Sequence, residues 1–385
     1  MATLLGDICT FQSGGTPSKR IPEYFGGTIP WISTVALNGK RVGNEEAVAW
    51  ITEKAILESS ARVIPPNSIM VGVRVGVGKV AINSVPLSTN QDIVSLLDID
   101  ESLWDKEFIC KFIQSKNAYL NGQSRGATIK GIKTETLSEL QLPSISIDDQ
   151  HVIVHILNSA ISVIEENRKR LAYLNNLIKA RFVEMFGDSN NSKDYPIVKV
   201  QDVAEIQVGV VIKPAQYYTD AEHGVKAFRS LNIGEITIKD EEWVYFNDEG
   251  QKKNSKSILK ENDLVIVRSG APGTACVVTK QFEGSNAVDV IIAHPDMRKV
   301  NPYYLCAFTN YPHGKRQIEA GTGGAAQQHF NVGKYKEMDL IYPPKEEQDQ
   351  FVSFVKQVDK SKVVVQKALD KAQQLFDSLM QEYFG

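Results

Sequence analysis

Gly76-Val77-Gly78-Lys79 is the stretch whose residue types and spacing come nearest to phosphate chemistry. A Walker A loop needs Gly-x4-Gly-Lys-Ser/Thr, so that backbone N–H groups wrap the phosphates and a hydroxyl meets Mg²⁺. Here positions 73 and 80 are both Val, which favours a glycine-rich pair of strands. Metal chemistry fares no better. Cys9, Cys110, Cys276 and Cys306 are far apart with no CxxC, which fits a reducing cytoplasm. His151 and His155 stand at i, i+4 but lack the glutamate of HExxH, and are read as helix surface. No acidic residue is followed two places on by Lys, as a metal-dependent nuclease would require. No Asn/Asp-Pro-Pro-Tyr/Phe is present to hold a target amine; Pro65-Pro66 and Pro343-Pro344 follow Ile and Tyr. No Gly-x-Ser-x-Gly occurs. Glu45-Glu46 and Glu241-Glu242 read as solvated loop charge. The chemistry left over is binding.

Composition bounds that binding only loosely. The chain has 385 residues, enough for two domains or more, with 43 basic and 46 acidic side chains and a net charge of −3. Residues 1–147 carry 14 of each sign and residues 188–345 carry 19 basic and 20 acidic. That balance is not typical of a nucleic-acid binder unless cations cluster on one face or partner subunits add charge. No apolar run approaches a membrane span and Met1-Ala2-Thr3-Leu4 opens no signal peptide, so a cytoplasmic protein is expected.

The elements that would position any site are set by an internal duplication. Asp148–Gly187 lies without gaps on Glu346–Gly385, 198 residues on, placing Gln150 on Gln348, Leu177 on Leu375 and Phe186-Gly187 on Phe384-Gly385. Within the first copy Ile153, Leu157, Ala160, Ile164, Asn167, Leu171, Leu174, Ile178, Arg181 and Met185 alternate at intervals of four and three, a heptad seam. The second copy puts Phe351, Val355, Val358, Lys362, Val365, Leu369, Ala372, Phe376, Leu379 and Tyr383 on the same positions. Two helices of about 57 Å follow. Ser146 with Asp149 suits a capping box and Gly187 a C′ glycine. Neither helix buries its own stripe, so the two are expected to pack on each other.

The flanking segments read as mixed α/β domains. In residues 1–147, Gly6-Asp7-Ile8 leads into Phe11–Pro17, a strand and glycine turn; Ile29–Thr34 and Ile69–Val80 read as strands, Trp104–Leu120 as helix, Gly122–Lys133 as a polar loop and Leu137–Leu142 as a last strand. Asp188–Asp194 reads as a linker. The second domain repeats the first loosely: Gln207-Val208-Gly209 lies on Gln12-Ser13-Gly14, Val267–Gly270 on Val73–Gly76 at an offset of 194, and Asn286 near Asn90. The expected division is domain 1–147, helix 148–187, domain 188–345 and helix 346–385.

This arrangement resembles the specificity subunit of type I restriction–modification systems. Leu5-Gly6-Asp7-Ile8, Ser13-Gly14-Gly15-Thr16-Pro17, Tyr24-Phe25-Gly26-Gly27 and Ile29-Pro30-Trp31-Ile32 are similar to the start of the family's target-recognition domain. Gly126–Ile132 and Gly324–Phe330 match its end, and Tyr342-Pro343-Pro344-Lys345-Glu346-Glu347-Gln348 its helix start, of which Leu142–Gln150 is a weaker copy. Val208-Gly209-Val210-Val211 departs from the Gly-Gly-Thr-Pro pattern. The resemblance implies an α+β chain of two target-recognition domains in tandem, each followed by a helix, with the helices packed as an antiparallel coiled-coil spacer of pseudo-twofold symmetry. It implies that each domain reads half of a bipartite double-stranded DNA target and that the chain catalyses nothing. Two modification subunits, bringing S-adenosylmethionine, and restriction subunits, bringing ATP and Mg²⁺, would be its partners. Arg reads guanine and Asn or Gln adenine, so the candidates are Lys19, Arg20, Ser33, Thr34, Arg74, Asn90, Gln91, Arg125 and Lys130 in the first domain. In the second they are Lys213, Arg229, Ser230, Asn232, Arg268, Asn286, Gln327, Gln328 and His329. The duplication favours Arg74 and Arg268, and Trp31 is read as core ahead of a stacking platform. Two other readings stand beside this one: a self-contained methyltransferase or nuclease with divergent motifs, and a DNA-binding scaffold without base-specific contacts.

Overall fold

The computed structural model describes residues 3–126, 130–187, 191, 193–322 and 330–385. Its principal helices are α1 (Lys106–Ser115), α2 (Asn117–Gly122), α3 (Ile147–Phe186), α4 (Pro302–Asn310) and α5 (Lys345–Phe384). The chain forms two compact units, Met1–Arg168 with Lys367–Gly385, and Lys169–Gln366. Each unit therefore contains a mixed α/β domain and parts of both 40-residue helices.

The first unit is built on β1 (Thr10–Ser13), β2 (Ile69–Gly72), β3 (Val80–Asn83) and β4 (Ile93–Leu97), in the order β1-β4-β2-β3, with Arg41–Val42 added to β3 in parallel. The four main strands pair antiparallel, Val94 opposite Ser13 and Ile93 opposite Gly72. The second unit repeats the order with β5 (Ala204–Val208), β6 (Leu264–Val267), β7 (Ala275–Val277) and β8 (Val290–Pro295), as β5-β8-β6-β7. Each unit also has a second, four-stranded sheet.

Strand periodicity explains why β2, β3, β6 and β7 are buried throughout. Successive side chains point to opposite faces, and both faces are covered. Ile69, Val71, Val80, Ile82, Val94 and Leu96 join the helices in one core, while Met70, Ala81 and Ile93 join another with Ile32 and Leu87 of the second sheet. In the second unit Leu264, Ile266, Ile291 and Ala293 face the helices, and Val265, Val267, Val290 and Ile292 face Phe228 and Phe282. The glycine-rich pair of strands expected over Ile69–Val80 is present as a hairpin: Gly76 and Gly78 adopt φ of +74° and +78° and reverse the chain between β2 and β3. The expected helix Trp104–Leu120 is divided at Lys116 into α1 and α2. Leu137–Leu142 is a helical turn, Thr134–Ser138, followed by a two-residue strand, Gln141–Leu142.

The long helices have the ends their sequence requires. Ser146 Oγ accepts from the Asp149 N–H at 3.1 Å, and its hydroxyl donates to the Asp149 carboxylate at 2.6 Å. Gly187 terminates α3 at φ +82°, its N–H donating to the Val183 carbonyl. All seam positions are buried or half-buried in both copies. Asn167 is buried on the seam with its amide bonded to the Val163 carbonyl.

A second apolar stripe, offset from the seam, docks each helix end on a domain. In the second unit Phe182 and Phe186 are fully buried, their rings 5.8 and 4.9 Å from Tyr304 and 5.4 and 5.6 Å from Phe351. In the first unit Phe384 packs 5.2 Å from Phe108 and 6.1 Å from Phe112 of α1. Such pairs add about 0.5–1.5 kcal/mol each beyond their buried area.

The starts of both long helices carry a buried glutamine clamp that accepts from the same N-cap position and differs in the carbonyl to which it donates. Gln150 Oε1 accepts from the Asp105 N–H at 2.9 Å, and its amide donates to the Leu103 carbonyl at 3.0 Å. Gln348 Oε1 accepts from the Asn301 N–H at 2.9 Å, and its amide donates to the Pro343 carbonyl at 2.9 Å. Asp105 and Asn301 are the N-caps of α1 and α4, so each glutamine ties the long helix to the helix that covers the central sheet.

Candidate nucleic-acid interface

In the first unit, hydrogen bonds string the candidate residues into a continuous ridge. The glycine turn after β1 lies against the loop before β4: Gly14 donates to the Ile93 carbonyl at 3.0 Å and Gly15 to Thr89 at 2.8 Å. A side chain at Gly14 would meet the Asn90 carbonyl at 2.2 Å, so only glycine permits the approach. Thr16 then bonds Gln91 through their side chains. Asp92 follows, its carbonyl accepting from the Val73 N–H at 2.8 Å; the Val73 carbonyl accepts from Ile132 at 2.8 Å. Arg125 and Gly131 exchange both backbone hydrogen bonds at 2.9 and 3.0 Å, which closes the base of the loop carrying Lys130. Arg74, Gln91, Arg125 and Lys130 are thus brought together. All four are exposed, and Arg74 is held only loosely, 3.9 Å from Asp92.

The remaining candidates of this unit divide by burial. Lys19 and Arg20 are exposed in a turn and Ser33 is half-exposed. Thr34 is buried, and Asn90 is buried with its amide donating to Asp92 at 3.0 Å. Trp31 is half-buried with its indole N–H bonded to the Gly15 carbonyl at 3.0 Å. It braces the glycine turn.

The second unit builds the same ridge from different side chains. Val210 donates to the Ala287 carbonyl as Gly15 does to Thr89, and Phe330 donates to the Arg268 carbonyl at 2.9 Å as Ile132 does to Val73. These equivalences correct the register expected from the repeat. Arg268 occupies the place of Val73, at an offset of 195, and not that of Arg74. A shift of one residue sends a strand-end side chain to the other face. Accordingly Arg268 is only 13% exposed and binds Asp289 at 2.6 Å. Val288 donates to Phe228 as Asn90 does to Ile32, so Asn90 corresponds to Val288 and not to Asn286. Since Ile93 and Val290 lie opposite equivalent residues of β2 and β6, the first unit has one residue more in this loop. Gln91 is that addition.

Asn232 and Asn286 are fully buried. Asn232 accepts from the Arg229 N–H at 2.9 Å and donates to the Glu241 carbonyl at 2.7 Å; Asn286 donates to Gln251 at 2.6 Å and accepts from its neighbour Ala287. Both hold loops in place. Arg229 is half-buried, its guanidinium donating to the Glu242 carbonyl. Ser230 is exposed, as is Lys213 at a left-handed φ of +44°. Gln327, Gln328 and His329 lie outside the described residues, next to the Phe330 anchor. Exposed aliphatic side chains, Val211 and Ile212, stand where the first unit has Thr16 and Pro17. The partner carboxylates Asp92 and Asp289 were not among the expected residues; the one-residue difference between the loops hides their equivalence.

Comparison with known proteins agrees with this architecture. The model of the type I restriction modification DNA specificity domain matches residues 3–176 and again 184–372. The chain is 24% identical over 392 residues to the type I restriction enzyme MjaIX specificity subunit of Methanocaldococcus jannaschii, covering 97% of this chain and 90% of that one. It is 34% identical over 161 residues to the EcoR124I/EcoR124II specificity subunit of Escherichia coli, 40% of this chain and 39% of that one. Among solved structures, the type I S subunit from M. genitalium superposes with a TM-score of 0.54 at 13% identity, covering 100% of this chain and 96% of that one. A chain from a study of type I restriction–modification complex assembly and conformational transition gives 0.58 at 13% identity, covering 100% and 97%. These likenesses show the fold, and the family model, matched twice along nearly the whole sequence, shows the rest: this chain belongs to the DNA specificity subunits of type I restriction–modification systems.

Proposed function

We propose that each unit of this specificity subunit reads one half of a bipartite DNA target through its ridge. The observation that carries the reading is the ridge itself, built twice on the same hydrogen-bond frame but furnished with different side chains. In the first unit Gln91 and Arg74 are the base readers, suited by their donor and acceptor geometry to adenine and guanine; Arg125, Lys130, Lys19, Arg20 and Ser33 flank them. In the second, Ser230 and Lys213 take that place, with Val211 and Ile212 offering apolar contact of the kind thymine methyl groups accept. Readers of equal frame and unequal surface suit a target whose halves differ.

The subunit supplies specificity and no catalytic group. Methylation and cleavage belong to the modification and restriction subunits it recruits. In our reading two modification subunits bind, one near each unit, on the exposed faces of α3 and α5, and these helices pack as an antiparallel coiled coil of pseudo-twofold symmetry. The heptad burial in both copies supports that pairing. Helices of 40 residues, about 60 Å at 1.5 Å per residue, span more than one DNA turn of about 34 Å.

The test is single-molecule methylation sequencing of genomic DNA with and without this gene. Loss of adenine methylation at one split motif is expected. Replacing residues 1–147 with those of another family member should then alter one half of the motif and leave the other. An exchange that alters both halves, or neither, would sink the division of labour.

A further inference from the structure

The hairpin that fails as a Walker loop borders a cationic cleft in the first unit, and we infer that this cleft seats a backbone phosphate of the DNA. The inference rests on the proposed reading of the first half-site by the neighbouring ridge. The cleft, of about 520 Å³, is lined by Arg74, Lys79, Lys130, Asn117, Asn121 and Ser124 together with Gly76 and Val77 of the hairpin. Among the described residues, three cations line it and no carboxylate does. Lys79 and Lys130 are exposed and, among the described residues, make no ion pair.

The seat is constructed by the hairpin and by α2. A side chain at Gly76 would come within 2.9 Å of the Lys79 stem, and one at Gly78 within 3.2 Å of Asn117. The glycines thus let Lys79 fold back over the hairpin and let the hairpin close on α2. Asn121 fixes that closure by donating to the Val77 carbonyl at 3.2 Å, and it also donates to the side-chain oxygen of Asn117. That bond leaves the Asn117 amide N–H groups directed away from Asn121. Lysine ammonium, arginine guanidinium and an amide donor around one cleft are the groups that bind phosphate oxygens. Because Arg74 borders both cleft and ridge, a phosphate here fixes the register in which Gln91 meets its base.

Among its described residues, the second unit has the same frame without the seat. Thr274 stands in place of Lys79, at an offset of 195 set by the strand pairing. His313, at the position of Asn117, is buried with its ring bonded to the Gly187 carbonyl at 2.9 Å. Gln317, at that of Asn121, is engaged with the Asp339 backbone in both directions, at 2.9 and 2.7 Å. Among the described residues, the phosphate seat therefore belongs to the first unit.

The experiment measures affinity of the complete complex with its modification subunits for target and scrambled duplexes between about 50 and 200 mM salt. Neutralising one phosphate contributes about 0.9 to the slope of log K against log salt. Lys79→Ala should reduce the slope by that amount, so that affinity falls about threefold less across the range than in wild type, and it should weaken both duplexes alike. Lys79→Arg should retain the slope, and Asn117→Asp should weaken both duplexes without changing the methylated motif. If Arg74→Ala impairs the first half-site while Lys79→Ala leaves the slope unchanged, the phosphate seat is wrong and the ridge reading stands. If Arg74→Ala, Arg125→Ala and Lys79→Ala all leave first-half-site binding intact, both fail. If Lys79→Ala abolishes only a melting shift caused by inorganic phosphate, the cleft binds a free anion and the assignment to DNA is overturned.

Discussion

Replacing Gln348 by leucine tests whether the buried clamp at the head of α5 sets its attachment to the domain. Gln348 is fully buried, and its amide holds two backbone groups, the Asn301 N–H and the Pro343 carbonyl, each at 2.9 Å. Leucine has similar volume but no hydrogen bonds, so both groups lose their partner. An orphaned buried group costs about 1–3 kcal/mol. Pro343 is buried and takes that penalty in full, while Asn301 is half-exposed and water recovers part of its share. The sum is about 2–4 kcal/mol. For a unit of this size 1 kcal/mol moves the melting midpoint by about 2–4 °C, so a fall of about 5–15 °C in the transition of the second unit is expected by calorimetry. Gln150→Leu should act in the same direction but less strongly on the first unit, where the same amide holds Asp105, half-exposed, and Leu103, exposed, so that water recovers more of the loss. Gln348→Glu adds a control with a pH sign. Burial beside the Pro343 carbonyl raises the carboxyl pKa above the unfolded value of about 4.3. The native state then holds a proton that the unfolded state has lost, so stability falls as pH rises through that window and recovers on acidification. A Gln348→Leu midpoint within about 1 °C of wild type, or a Gln348→Glu variant insensitive to pH, would refute the clamp.

Other perturbations probe the rest of the molecule. Burial, aided by Asp98, pushes the Cys9 thiol up to about 12, burial pushes Cys110 up to about 12, and it raises Cys276 and Cys306 as well. At pH 8 a thiol of pKa 12 is about one part in 10⁴ thiolate, so a disulfide reagent should label none of the four rapidly until denaturant is added; a single fast thiol would contradict the packing. Gly14→Ala places a methyl group 2.2 Å from the Asn90 carbonyl and should abolish first-half-site binding while leaving the second, as read by footprinting on a split target. Arg268→Ala should weaken second-half-site binding because it releases the Asp289 carboxylate, 2.6 Å away, toward the DNA. The Arg268→Ala, Asp289→Asn double variant should recover part of the loss; no recovery would mean that Arg268 itself reads the target.

How much of this was legible in the sequence depends on how local the signal is. The seam of Leu157, Ile164, Ile178, Phe351, Val355 and Val358 is a simple period and could be read directly. The docking stripe of Phe182, Phe186 and Phe384 is equally apolar. It is not legible in the sequence because it lies one helical position off the seam and acquires meaning only when the domain it covers is in place. Gln150 and Gln348 stood out as identical in both copies, but their role needed Asp105 and Asn301 from a distant helix cap. Arg74 and Arg268 were the instructive failure. Arginine beside glycine suggested alignment at 194, whereas the backbone pairs at 195 through Val73 and Arg268, and residue type cannot report a one-residue slip in a glycine-rich hairpin.

That slip shows where such a protein has room to change. The central sheets are buried on both faces, so a substitution there meets two cores at once and is costly. The hairpin tips and the loops before β4 and β8 are joined to their neighbours largely through backbone hydrogen bonds, which most substitutions leave in place outside the tight glycine positions. Between the units the arginine moves by one residue while the bonds of Gly14, Gly15, Asn90 and Ile132 keep their counterparts at Gly209, Val210, Val288 and Phe330, and the guanidinium turns from a loosely held, exposed group into one bound to Asp289. Adding Gln91 lengthens one loop without disturbing the strand pairs on either side. A frame held mainly by main-chain hydrogen bonds can therefore carry two surfaces of different chemistry, and single-residue edits after duplication are enough to change which side chains each surface presents.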